Sequence, residues 1–209
     1  TLRTPVSIQQ TPQSVQVLNR TLIVEQDLTT LSDALRNISG VVPAQPSEAV
    51  LVNPIVRGFE SEIYLDGLAL YGDTAASDPS SLIGVERIEV AKGPTSQLFG
   101  GGTGAPVGGL INMVSARPQA DAFIRASFRT GSFGTIQPSV DVNQPLGPNV
   151  AIRFAGEYLD STDAVDAVTN ERLTLAPSLR IGFSDTSLIV GVKYNRFKQL
   201  EYSGIPFAM

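Results

Sequence analysis

The sequence contains no cysteine, no histidine and no tryptophan. Without cysteine or histidine there are no disulfides, no thiolate or imidazole metal sites, and no Cys–His or Ser–His catalysis. A basic surplus is also missing: 15 Lys and Arg stand against 20 Asp and Glu, for a net charge of −5. The arginines are scattered singly, so no basic stripe can neutralise phosphates and no nucleic-acid partner is expected. No apolar run reaches the ~18–20 residues of a membrane-spanning helix. The opening "TLRTPVSIQQTPQS" has no basic region leading into an apolar one, so any signal peptide is expected to have been removed.

What is present divides into two halves with different patterning. Residues 1–118 read as mixed α and β with much loop. "SVQVLN" is a short strand candidate. Thr30 reads as an N-cap, with Asp33 as an acidic capping-box partner. Leu31, Ala34, Leu35 and Ile38 then form one apolar helical stripe, and Gly40 stops the helix. "PIVRGF" and "EIYLDGLALYG" follow, and Asp66-Gly67 between apolar strands predicts a hairpin. "VERIEVAKG" and "GGLINMVSA" are further strands, the first with Ile88 and Val90 on one face and Arg87 and Glu89 on the other.

Residues 122–198 alternate with a period of two. Ile124, Ala126 and Phe128 oppose Arg125, Ser127 and Arg129. Val140, Val142 and Leu146 oppose Ser139, Asp141 and Asn143. Ile152, Phe154 and Tyr158 oppose Arg153 and Glu157. Leu173, Leu175, Leu179 and Ile181 oppose Arg172, Thr174, Ser178 and Arg180, and Leu188, Val190, Val192 and Tyr194 oppose Ser187, Lys193 and Asn195. Across these five segments (122–130, 135–146, 149–158, 172–183, 187–195) every charge lies in the polar row. Soluble sandwich strands also alternate but are usually shorter, about 5–6 residues. Strands of about 10 residues with one uncharged face suit a transmembrane barrel, where a lipid-facing Arg or Lys costs roughly 2–4 kcal/mol at the midplane.

The connections 147–148 and 184–185 are short, and "DSTDAVDAVTN" (160–170) reads as a long polar loop. Asp160, Asp163, Asp166 and Glu171 there lack calcium-loop spacing, so a solvated loop is expected. Pro138 and Pro177 each remove a ladder donor; Pro138 falls near a strand end, and Pro177 suggests a bulge. Five strands cannot close a membrane barrel, which needs about eight, so the chain is expected to be the front of a longer one.

"TPQSVQVLNR", "TTLSDALRNISGVV", "IVRGF", "YLDGLALYG", "VERIEVAKGPTSQLFG" and "GGLINMVSARP" occur in that order. They resemble successive blocks of the plug domain of TonB-dependent outer-membrane receptors, particularly ferric-siderophore receptors. "GSFG", "DVNQPLG" and "APSLRIGFSDTSLIVGVKY" resemble the first barrel strands of that family. The resemblance implies a mixed α/β plug domain (1–118) followed by antiparallel transmembrane β-barrel strands (119–209), part of a plugged barrel of about 22 strands. The link "GGGTGAPVGG" is longer than is usual in that family, and no TonB box is recognisable, so the TonB-contacting segment is expected to be missing.

The glycine-rich stretch from Lys92 to Pro118 does not fit a phosphate cradle. It opens no helix and carries no G-K-[ST]. Its glycines are expected to let backbone pass closely and to adopt positive φ. The resemblance further implies an outer-membrane location in contact with the lipid bilayer, TonB as energising partner, and an iron(III)-siderophore complex as cargo, with no intrinsic cofactor. Absent His and Cys are compatible, because a siderophore already saturates its iron. Arg57, Phe59, Glu60, Tyr71 and Phe99 are the implied cargo-binding residues of the plug, and Arg87, Glu89, Lys92 and Arg117 the implied plug–barrel contacts. Uptake of cobalamin, haem, a copper chelate or a glycan through the same fold stays open, as does a soluble β-rich adhesion or interaction module. No acid pair, nucleophile or cofactor motif stands out, so no enzyme is expected.

Overall fold

The structure, a computed structural model, describes residues 14–43, 54–70, 81–94, 107–162, 169–183 and 185–199. The chain forms two compact units, Thr1–Ser115 and Ala116–Met209.

In the first unit, β1 (Ser14–Asn19) leads directly into α1 (Arg20–Glu25), where Asn19 caps the helix by accepting from Leu22 N. The sequence reading missed α1 because "TLIVE" carries β-branched residues that favour strand. α2 (Leu31–Leu35) starts at the predicted cap but stops before Ile38, shorter than the expected two to three turns: Thr30 Oγ1 accepts from Asp33 N at 3.1 Å, and Leu31, Ala34 and Leu35 are buried. Gly40 does take φ +68°, but beyond the helix end: the C-cap is Arg36, and turns in which Asn37 N donates to Ala34 O and Ile38 N to Leu35 O come before it, so Gly40 does not itself stop α2.

β2 (Val41–Val42), β3 (Ile55–Val56) and β4 (Phe59–Glu60) form a small antiparallel sheet. A second sheet holds β5 (Glu62–Leu65), β6 (Leu68–Ala69), β7 (Val85–Lys92) and β8 (Gly109–Ser115) together with β1, in the order β1-β7-β8-β5-β6. All its pairs are antiparallel except β5 with β8. Ile88 and Val90 on β7 pack with Leu35, Val56, Ile111 and Met113 in the core. The predicted Asp66-Gly67 hairpin is present, with φ of 52° and 81° and Leu65 opposite Leu68, as a two-residue I′-type loop requires.

The second unit is one antiparallel sheet. Its strands are β9 (Phe123–Thr130), β10 (Ile136–Pro145), β11 (Val150–Thr162), β12 (Thr169–Phe183), β13 (Thr186–Gly191) and β14 (Tyr194–Gln199). Both β13 and β14 pair with β12 in a single register: Ser178 faces Gly191, and Leu175 faces Tyr194. They are two pieces of one edge strand, broken opposite Pro177.

That break corrects the expected bulge. Pro177 stays in register with Phe154 of β11 and accepts from Val192 N at 3.0 Å. Its missing N–H therefore falls on the β13–β14 side, and the ladder is interrupted without an inserted residue. At Pro138 the β10–β11 register likewise skips Gln137 and Pro138. A second correction concerns the long loop. β11 runs to Thr162 and β12 starts at Thr169, so Asp160 and Glu171 are paired strand residues rather than loop residues. Asp163 and Asp166 lie outside the described residues.

The sheet buries the central part of its polar row and exposes its apolar one. Asp141, Asn143, Arg153, Arg172 and Thr174 are each no more than 4% exposed, whereas Ile124 is 76% and Phe128 67% exposed. From Leu173 to Phe183 the outward row of β12 carries no charge over ten residue steps. At ~3.3 Å per residue and a tilt of ~40°, that row spans about 25 Å, the height of a barrel's apolar band. Among the described residues, charges enter the outward row at one end of the sheet: Asp160, Glu171 and Lys198 face one another, with Arg196 one row away. This arrangement is that of a wall facing hydrocarbon rather than half of a soluble sandwich.

Candidate functional site

One end of the first unit gathers most of the described plug residues implied for cargo. β3 and β4 are joined by Arg57-Gly58, with φ of 52° and 86° and Val56 opposite Phe59. Arg57 lies in the left-handed region that favours glycine and asparagine. Its N–H donates to Gly40 O at 2.9 Å, which ties the turn to the exit of α2. Arg57, Phe59 and Glu60 are all exposed, and the Arg57 guanidinium has no hydrogen-bond or ion-pair partner among the described residues. This hairpin was not foreseen, because Arg-Gly is not among the usual I′ dipeptides.

Lys92, at the end of β7, lies beside this turn and is buried. Its ammonium donates to Gln16 Oε1 of β1 and to the carbonyl and hydroxyl of Ser39. Burial, followed by the neighbouring Arg57 charge, lowers its pKa below the ordinary 10.5. Two cations thus stand together, and Lys92 is held by neutral groups. The glycines entering β8 serve close approach, as expected. A Cβ on Gly108 would come within 2.7 Å of the Phe59 and Glu60 carbonyl oxygens. On Gly109, at φ +121°, it would lie 2.0 Å from the Ala91 carbonyl oxygen.

The remaining residues lie elsewhere. Arg87 pairs with Glu89 at 2.7 Å along β7, and Glu89, 2% exposed, also accepts from Asn112 Nδ2 at 3.1 Å. Arg117 belongs to the second unit, with an exposed side chain. Tyr71 and Phe99 lie outside the described residues.

In the second unit the inward row is an ion-pair network. Arg153 grips Asp141 through both ends of its guanidinium, Nε–Oδ1 at 2.9 Å and Nη2–Oδ2 at 2.7 Å. Bidentate geometry of this kind is what makes burying both charges tolerable. Arg125 stands 3.9 Å from the same carboxylate and stacks on Phe123 at 4.0 Å from the ring centre. Arg172 pairs with Glu157 at 2.9 Å, both buried. Of the acidic residues weighed for calcium, Asp160 and Glu171 face each other across β11 and β12; among the described residues no three acidic side chains form a metal-holding group.

An α/β globule with an exposed cationic turn, followed by a sheet with ion pairs on one face and a ~25 Å apolar band on the other, fits a plug domain followed by strands of an outer-membrane β-barrel. Comparison with known proteins gives the family. Residues 7–107 match the TonB-dependent receptor plug domain. The probable TonB-dependent siderophore receptor PiuA of Acinetobacter baumannii is 30% identical over 204 residues, covering 94% of this chain and 26% of PiuA. The catecholate siderophore receptor Fiu of Escherichia coli K12 is 33% identical over 179 residues, covering 82% of this chain and 23% of Fiu. The crystal structure of the ferric-catecholate import receptor Fiu in its closed form matches with a TM-score of 0.84 and 30% identity. That match covers 95% of this chain and 28% of Fiu. The chain belongs to the TonB-dependent receptors of the bacterial outer membrane, a family of transport receptors rather than enzymes. It spans about a quarter of the length of these relatives and holds the plug and the first barrel strands.

Proposed function

We propose that the receptor to which this chain belongs binds a ferric siderophore at its extracellular side and imports it to the periplasm with energy delivered by TonB. The observation that carries the reading is the Arg57-Gly58 turn. It presents a guanidinium without a described partner, beside a second cation, in a plug related to those of siderophore receptors. Ferric chelates present anionic or strongly polar oxygens, which a guanidinium meets with charge-assisted hydrogen bonds. Phe59 and Glu60 on the same hairpin, with Tyr71 and Phe99, complete the plug's share of the cargo surface. Lys92 and Glu89 are held within the plug. Arg87 and Arg117 keep accessible guanidinium groups for carboxylates of the complete barrel.

The test is calorimetric titration of the full-length receptor with a panel of ferric catecholates and hydroxamates, alongside uptake of labelled iron by cells. Saturable binding of at least one chelate, and uptake that stops without TonB, are expected. Arg57→Gln should weaken binding by about 10- to 100-fold, the loss of one hydrogen bond to a charged group. No saturable binding of any ferric chelate would refute the assignment.

A further inference from the structure

We infer that Asn143 and Arg153 are positioning residues that clamp the connector 116–121 to the barrel wall, so that transport rearranges only the chain upstream of Ala116. The inference rests on the transport reading above. Asn143, 1% exposed, spends its whole amide on the connector. Its Nδ2 donates to Gln119 O at 3.1 Å and Asp121 O at 2.6 Å, and its Oδ1 accepts from Gln119 N at 2.9 Å. Arg153, 4% exposed, donates through Nη1 to Arg117 O at 3.2 Å while its other two nitrogens hold Asp141. The carbonyls of residues 117, 119 and 121 are therefore all bound by two buried wall side chains.

The tie just upstream has a different character. Ser115 is held by Asp66, with N–Oδ1 at 2.8 Å and Oγ–Oδ2 at 2.7 Å, in exposed hydrogen bonds. Water can replace those partners at little cost. Pulling Arg117 or Gln119 away would instead leave a buried amide and part of a buried guanidinium unsatisfied, which is penalised in full. Force entering from the N-terminal side meets the weak tie first and the strong one immediately after, and the boundary between the two compact units falls between them.

The experiment uses the full-length receptor in energised cells, with labelled iron uptake and maleimide labelling read together. Two single-cysteine reporters are placed at buried positions, Ala91→Cys in the plug and Pro118→Cys in the connector. During uptake the plug reporter should label several-fold faster than without cargo, while the connector reporter stays at its resting rate. Adding Asn143→Ala should release the connector reporter. Equal labelling responses of the two reporters in the otherwise unchanged receptor, whether both fast or both slow, overturn the clamp. That comparison needs no clamp variant, so it holds even if Asn143→Ala assembles poorly. Absence of iron uptake by the unmodified receptor would count against the transport reading instead.

Discussion

Leu35 and Ile88 of the plug have no exposed surface, whereas Ile124 and Phe128 of the barrel sheet are 76% and 67% exposed. Charge does not split as cleanly, since the plug also buries Glu89 and Lys92. The wall hides Asp141 and Arg153, while the plug sets Arg57 outside. Both regions obey the same rule, that each face is matched to its surroundings. In the plug, water surrounds an apolar core, and the gain is the area removed from water, about 25 cal/mol per Å². In the wall the surroundings are hydrocarbon, so the apolar row gains nothing by hiding. The polar row instead holds its buried charges largely in ion pairs, Asp141 with Arg153 and Glu157 with Arg172.

The largest expected break of this comparison is Arg153→Met, which leaves Asp141 without its bidentate partner. It should cost about 3–5 kcal/mol, read as a lowered unfolding midpoint of the full-length receptor in detergent. An unchanged midpoint would mean that the network contributes no stability. Next is Leu35→Ala, where a cavity in the plug core should cost about 2–5 kcal/mol. That loss belongs to plug amides in hydrogen exchange and should leave the strands of the wall protected. Third, Val142→Arg places a cation in the middle of the outward row and should cost about 2–4 kcal/mol of barrel stability. Ser127→Arg, on the exposed part of the polar row, should be close to neutral. Equal effects would refute the assigned faces.

The smallest effect concerns pH. Burial and Arg57 hold Lys92 below its ordinary 10.5, so the folded plug gives up this proton before the unfolded chain does. The penalty is present in full at lower pH, and plug stability rises as pH climbs through the window beneath 10.5. Lys92→Met should remove that rise. Plug-amide exchange in both proteins, followed from neutral pH to pH 10.5, checks it; parallel curves would sink the claim.

Much of the fold is legible in the residues because local signals agree with it. The Thr30–Asp33 cap and the Asp66-Gly67 turn each have one physical solution, and alternation over about ten residues with one uncharged face suits a barrel strand. The failures have physical causes too. α1 hides behind β-branched residues and is held by tertiary packing, with Ile23 buried in the core. Pro177 signals a lost donor, but which neighbour loses it depends on register. At the candidate site the sequence names residues but not their neighbourhoods. Lys92 read as a barrel contact, yet its ammonium is held by Gln16 and Ser39, which lie 76 and 53 residues away in sequence. Asn143 read as one more polar-row residue, and only folding brings it onto the connector backbone.

The backbone of Arg57 carries one more consequence. A side chain in the left-handed region sits about 1–2 kcal/mol above its right-handed alternative, and Asn or Gly would occupy φ 52° more comfortably. Either replacement would ease the turn and at the same time discard the guanidinium. Under the role proposed for Arg57, comfort of the main chain and grip on an anionic visitor are opposed at a single residue, and a search for a sturdier plug would select variants that capture less.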